Sequence, residues 1–369
     1  MNVVALVAAL ILIAWLLWDA FETILLPRRV PARWRVSRFL LRWLWGLWSI
    51  IARRIGKRAR RENFLGFYAL LALLTLLATW ASGLVVGFAV LHWANGPHLA
   101  GAGTTTGFGA DLYMSGTTFF TLGLGDLHPM NVLGRAITVV EAGTGFGFLA
   151  LMIAYIPVLY QSFARRESRI TMLDEWAGSP PTAAVLLRRC FESTDPAVIA
   201  PLLRDWEVAS SEILESHLSS PILCFFRSQH DNQSWLASLV AILDTCSLII
   251  AGVERLDPFQ ARLTFAIGRH ALVDLSQNFG IKPEPAEKHR LSAEDLKAVR
   301  DWLERAGVRL ATGPEVEARL AALRDLYTPY AVPLSRLLLM PLPPWLPPPK
   351  ARYNWETTQW SKTARDDAH

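Results

Sequence analysis

Hydrophobic positions fall into long unbroken runs in the first half of this chain and into helix-spaced stripes in the second. Residues Met1 to Trp18 carry no charge, and the apolar character continues to Leu26 past Asp19 and Glu22. A second uncharged run covers Phe64 to Trp93, and a third, Ala142 to Ala164, follows Glu141. Each is long enough to cross a hydrocarbon core of about 30 Å, which takes roughly 20 helical residues. The pattern predicts an N-terminal transmembrane helix over 1–26 and two further spans within a 64–163 unit. The first run lacks a basic leader and a small-residue cleavage site, so it is read as a retained span.

From Arg165 onward the apolar residues recur at helical spacing. Helices are expected over 182–192, 195–219, 232–255, 257–279, 293–306 and 314–328, separated by Pro, Gly or Asp-Pro signals. Asp195-Pro196 and Asp257-Pro258 read as a cap followed by a first-turn proline, and Ser292 opens another helix. No strand alternation is sustained, so 164–335 is expected to be an α-helical domain rather than a nucleotide-binding α/β regulator or a cyclic-nucleotide β-roll. Trp235–Val253 is apolar except Asp244; the central acid favours a buried core helix over a fourth span. Residues 336–369 are Pro-rich and then polar, and read as an extended, poorly ordered tail. The fold class expected is an all-α membrane protein.

Charge sharpens this reading. Charged residues make up 19% of the 369 and hydrophobic ones 52%, against about 25% charged in soluble domains, which excludes a soluble enzyme or a secreted protein. The net charge of +5 is local: residues 27–63 hold twelve Lys/Arg against one acid, Glu62, while 64–134 hold neither Lys nor Arg. A single basic cluster beside apolar runs is a membrane-orientation signal and a poor nucleic-acid footprint. It places 27–63 in the cytoplasm, hence the N-terminus outside, 92–131 outside, and the large C-terminal domain inside a bacterial-type inner cell membrane. Within the linker, Arg33, Arg35, Arg38 and Arg42 are mixed with Trp34, Trp43, Trp45 and Trp48. This mixture predicts an in-plane interfacial helix over 34–52 and lipid contact through 33–54. A further span is the rival, but the uncharged stretch from Trp43 to Ala52 is short for one. Cys190, Cys224 and Cys246 show no metal or disulfide spacing and suit reduced thiols. No nucleophile–base constellation or phosphate loop occurs in 165–330, so neither enzymatic activity nor a cofactor is expected.

The loop between the second and third runs carries the chemistry. After the Gly- and Thr-rich stretch 96–110, Asp111 is a plausible cap for a short helix over 112–121, too short to span. It ends in Thr121-Leu122-Gly123-Leu124-Gly125-Asp126. Backbone carbonyls can face one axis only if alternate residues take left-handed dihedrals, and glycine does so without steric cost. Four such segments about an axis would present rings of oxygens that replace a cation's hydration shell. The C-terminal end of the short helix would add partial negative charge towards the same axis.

This hexapeptide, flanked by two spans, resembles the selectivity-filter signature T-V-G-Y-G-D of potassium channels. The stretch 133–154 looks like the inner helix of the bacterial two-transmembrane ion-channel pore domain, and the resemblance covers about 64–163. It implies a homotetrameric channel with K+ as the transported ion. The carbonyls of Thr121, Leu122, Gly123 and Leu124, with the Thr121 hydroxyl, would coordinate the ion, and Asp126 would sit behind the outer mouth. Leu124 stands where the family usually has Tyr; leucine also occurs there in the second pore segment of two-pore-domain potassium channels. A weakly selective cation channel is therefore an alternative, with Phe119 and Phe120 as candidate fillers of the vacated space. A membrane-anchored helical signalling or sensor protein is a second alternative. A potassium transporter subunit would repeat the pore unit four times in one chain, whereas one unit is found here.

The third run carries the gate candidates. Gly143, Gly145 and Gly147 serve either as a hinge or as close packing against the short helix. Pro157 either weakens the helix at an inner gate or marks its exit from the membrane, with Tyr155, Leu159 and Tyr160 as candidate pore-lining groups. Glu141 is a functional candidate by its depth, or else reaches water or Arg135. Asp19 and Glu22 share a helix face and either pair with the Arg cluster or act structurally. In the helical domain, His270 and Asp274 stand at i, i+4, where a ligand or metal could be held, although core hydrogen bonds explain most such pairs. The identity of any cytosolic ligand is left open by the sequence.

Overall fold

The computed structural model describes residues 2–24, 36–96, 99–101, 107–284, 290–349 and 354. Arg33, Trp34 and Arg35, part of the Gly/Thr-rich loop and most of the C-terminal tail lie outside the described residues. The chain is an all-α membrane protein. It divides into two compact units, Met1–Ile50 with Phe67–Gln161 and Ile51–Gly66 with Ser162–His369.

The first unit contains α1 (Val3–Ile24), most of α2 (Val36–Arg54), the apolar part of α3 (Arg58–Ala94), the short α4 (Phe108–Phe119) and the first two thirds of α5 (Val132–Ala177). Two three-residue strands, β1 (Leu99–Gly101) and β2 (Leu127–Pro129), pair antiparallel with Ala100 opposite His128. By length and composition α1, α3 and α5 can each cross a membrane. α1 packs against α3 through the small residues Gly83 and Gly87. A Cβ on either would lie 2.6 and 2.7 Å from Leu16 and Ile13 carbons respectively. Small residues four apart let two apolar helices approach closely, where lipid supplies no hydrophobic drive between them. Asp19 completes the contact. Its carboxylate accepts from Trp80 Nε1 (2.8 Å) and from Ser37 N and Oγ (3.2 and 3.1 Å). Those hydrogen bonds show Asp19 binding Trp80 and Ser37. On α2, Trp45 packs edge-on to Tyr68, whose hydroxyl donates to Leu41 O. Phe39, Trp43, Leu47 and Ile50 remain exposed.

In the second unit α6 (Ala183–Glu192), α7 (Ile199–Ser219), α9 (Phe259–Asn278), α11 (Pro314–Asp325) and α12 (Thr328–Leu338) enclose α8 (Trp235–Gly252), with α10 (Ala293–Arg305) against α6. Local signals account for several starts. Asp195 accepts from Ala197 N ahead of Pro196, and Ser292 and Asp295 form a reciprocal capping box. α8 is long and apolar enough to span, but sixteen of its eighteen residues are buried within this helical domain. Its Asp244 is satisfied by Arg290 (2.9 and 3.2 Å) and the Tyr327 hydroxyl.

Of the C-terminal segment 336–369, residues 336–349 and 354 are described. α12 runs past position 336 to Leu338, although Pro333 lies inside it. The carbonyl that Pro333 cannot serve, Pro329 O, accepts instead from Glu284 N at 3.1 Å. Beyond it Met340 is buried, and Trp345 is 5% exposed beneath the guanidinium groups of Arg290 and Arg324. Apolar side chains spaced among the prolines give this segment something to bury, which Pro content alone does not reveal.

Candidate functional site

α4 is too short to cross a bilayer and starts at Gly107, so Asp111 sits in its first turn, buried, rather than at its cap. The N-cap is Gly107, at φ 152°, a conformation glycine adopts without steric cost. Beyond Phe120 the backbone leaves the helix with positive φ at alternate residues: Thr121 (57°), Gly123 (59°) and Gly125 (76°). Glycine takes this conformation freely, while Thr121 does so at a steric cost of roughly 1–2 kcal/mol. The Thr117 carbonyl holds the start of the segment, accepting from Leu122 N (2.8 Å) and Gly123 N (3.4 Å). Asp126 accepts from the Tyr113 hydroxyl of α4 at 2.9 Å. On the other side β1 presses on it: a Cβ on Gly101 would lie 1.8 Å from Asp126 O. All of 121–126 lie on the surface of a single chain.

Behind α4 lies a polar cluster that the sequence did not predict. Glu141 on α5 and His92 on α3 are fully buried and 3.1 Å apart (Oε2 to Nε2). The other carboxylate oxygen of Glu141 contacts Ser115 Oγ on α4, which also lies 2.8 Å from Val85 O on α3. One acid thus touches both long helices and the short one. Glu141 therefore pairs with His92, while Arg135 donates to Pro129 O. The signal available was weak: a lone His at the end of an apolar run, 49 positions from its partner.

The three glycines of α5 differ. A Cβ on Gly145 would lie 2.1 Å from Phe119 O, whereas Gly143 and Gly147 meet nothing within 4 Å in the chain. Gly145 is thus a packing glycine. Phe119, buried, stacks near Phe120 and Phe148 at 5.4 and 6.0 Å. α5 continues through Pro157 to Ala177, so Pro157 does not end the helix. Among the pore-lining candidates, Tyr155 and Leu159 are buried inside the chain and only Tyr160 is exposed. Tyr155 and Leu159 sit four apart on the face turned to the chain's own core, which the apolar run could not reveal. Heptad neighbours of Tyr160 are equally bare: Val139 73%, Phe146 66%, Ile153 65% and Tyr160 68% exposed.

In the second unit the segment 223–231 holds the start of α3 and the later part of α5. Arg166 of α5 donates to Leu223 O (2.8 Å) and Phe226 O (3.0 Å), and Ser228 donates to Glu167 at 3.2 Å. Arg227 pairs with Glu62 of α3 at 3.4 Å, and Arg58 donates to Asp231 O at 3.0 Å. Burial lowers the Arg227 pKa to about 10 against the opposing pull of Glu62. His270 and Asp274 do form an i, i+4 pair at 3.4 Å, with His270 largely exposed. Among the described residues no group of three or more His, Cys, Asp or Glu is placed to hold a metal ion.

Comparison with known proteins gives two matches. Residues 67–161 match the family model described as "Ion channel", which takes in α4, the 121–126 segment, His92 and Glu141. Over 214 residues the chain is 29% identical to the uncharacterized membrane protein YdjJ of Bacillus subtilis (strain 168), covering 57% of this chain and 59% of that one. The chain thus spans about three fifths of the curated relative's length. No solved structure matches it. Residues 67–161 are thus similar to an ion-channel segment, and the relative is named as a membrane protein.

Proposed function

We propose that this chain, with its ion-channel segment at 67–161, is one subunit of a homotetrameric potassium-selective channel. The observation that carries the reading is the alternation of left-handed residues at Thr121, Gly123 and Gly125 directly after a helix too short to span. That backbone can turn successive carbonyls to one side, and one chain supplies a quarter of a ring. Leu122 and Leu124 are apolar and exposed on the isolated chain, which fits cover by neighbouring subunits. The bare heptad row Val139, Phe146, Ile153, Tyr160 likewise fits a second copy of α5, since a seven-residue apolar repeat is the spacing of helix-on-helix seams.

Gating belongs to the same proposal. The helical domain's 223–231 segment holds the inner ends of both pore helices through Arg166 and Glu62, so a ligand-driven shift of that domain pulls on α5 at or below Pro157. Pro157 lacks one helix hydrogen bond and is the cheapest place to bend. Gly143 and Gly147 remain hinge candidates. The N-terminus lies outside, the helical domain in the cytoplasm, and the Arg/Trp-rich α2 against the inner leaflet.

A flux assay tests the reading. Purified protein in liposomes should release K+ several times faster than Na+, and Gly123→Ala should abolish the flux, because a Cβ at φ 59° disfavours the backbone the ion requires. Equal K+ and Na+ flux identifies the weakly selective channel instead; no flux in the unmodified protein leaves the membrane-anchored sensor.

A further inference from the structure

We propose that Glu141, through Ser115, is the positioning residue that sets the filter's selectivity, with His92 holding Glu141 in place. The inference rests on the channel reading above and concerns how the filter is kept in shape. The segment 121–126 has few polar supports of its own: Leu122 and Leu124 bring no hydrogen-bonding side-chain group, and all six residues are exposed on the chain. Its position is instead inherited from α4. Thr117 O accepts from the Leu122 and Gly123 amides, and the Tyr113 hydroxyl donates to Asp126. Both lie within two residues of Ser115.

Ser115 is where α4 is fastened to the rest of the chain. Its hydroxyl lies against Val85 O of α3 and the Glu141 carboxylate of α5, and it is fully buried. An acid with no exposed surface inside an apolar bundle is tolerated only when its hydrogen bonds are met, and Glu141 meets them on α3 and α4 at once. His92 fixes the carboxylate's rotation from the side opposite α4, at 3.1 Å. Losing the tie leaves α4 held by apolar packing and by the close approach of its last turn to Gly145, with no polar contact to fix its height at Ser115. A binding constellation works when its groups are held to about 0.5 Å, finer than apolar packing of one short helix provides. Hence the tie acts on selectivity rather than on whether the pore forms.

Three variants in liposome-reconstituted full-length protein decide it, read as the K+/Na+ permeability ratio from bi-ionic reversal potentials. Ser115→Ala keeps the buried Glu141–His92 pair and the helix, and should lower the ratio about tenfold, equivalent to about 1.4 kcal/mol in relative barrier. Glu141→Leu should do the same or worse. Glu141→Gln keeps an amide that can both accept from and donate to Ser115 and should retain most of the ratio. Should Glu141→Leu fail to assemble, Ser115→Ala still decides. A Ser115→Ala channel that conducts with the unmodified ratio overturns the inference while leaving the channel reading intact. If the unmodified protein passes K+ and Na+ equally, the potassium-selective reading fails first and this inference falls with it, a result told apart because no variant is needed to see it.

Discussion

At the scale of single residues, burial decides which titratable groups matter. His217 is fully buried on α7, and Arg166 Nη1 donates towards its Nε2 at 3.1 Å. That nitrogen must therefore carry a lone pair, leaving the Nδ1 hydrogen for Ser216 Oγ at 3.0 Å. Burial, and then the Arg166 charge, hold the imidazole well below its usual value of 6.5. The unfolded chain binds a proton below 6.5 that the folded one refuses, so stability is complete above that pH and falls as the pH drops. The limiting slope is about 1.4 kcal/mol per pH unit for one proton. His217→Gln keeps the acceptor for Arg166 and removes the titration, and should flatten the melting temperature of the solubilised protein between pH 7 and 5. An equal pH slope in both proteins would remove His217 from the account. Cys190 and Cys224 are the opposite case: burial pushes both thiols up to about 12, so they stay protonated and unreactive.

Among the elements, α5 does several jobs along one axis. Its first third carries Glu141 and, one turn on, Gly145 against the end of α4, and its last third carries Arg166 into the helical domain. Gly145 admits no side chain because Phe119 O already occupies the space. Gly145→Ala must push α4 away and should cost about 1–3 kcal/mol, in the range of overpacked cores. Thermal unfolding of the solubilised protein measures it, with Gly143→Ala as the comparison. Equal melting temperatures would show that α4 and α5 do not meet at Gly145. α4 is thus held at two heights on α5, by a carboxylate and by bare backbone.

For the whole molecule, orientation is the prediction with the widest consequence. The basic residues of 27–63 carry the proposal that the helical domain lies inside. Met130→Cys, an exposed position after β2, should react with a membrane-impermeant thiol reagent in intact cells. Ser193→Cys, exposed after α6, should react only after the membrane is opened. The three native thiols are buried and stay silent in both. The reverse pattern would put the helical domain outside and remove the cytoplasm as the source of its gating ligand.

The sequence by itself determined what depends on neighbours along the chain. Apolar run length marks α1, α3 and α5. Alternate glycines mark 121–126, and Asp195, Ser292 and their following residues mark helix starts, because hydrophobic transfer and backbone sterics act within a few residues. The same local logic misplaced the cap of α4 and overlooked α12, whose Pro333 is excused only by the distant amide of Glu284. Tertiary structure alone decided which faces meet. His92 with Glu141, Glu62 with Arg227, and Trp80 with Asp19 are pairs set by how far each helix is turned about its own axis and how its neighbours stack. That rotation leaves no mark on composition or spacing, since a buried acid waiting for a partner and one facing water read alike until the helices pack.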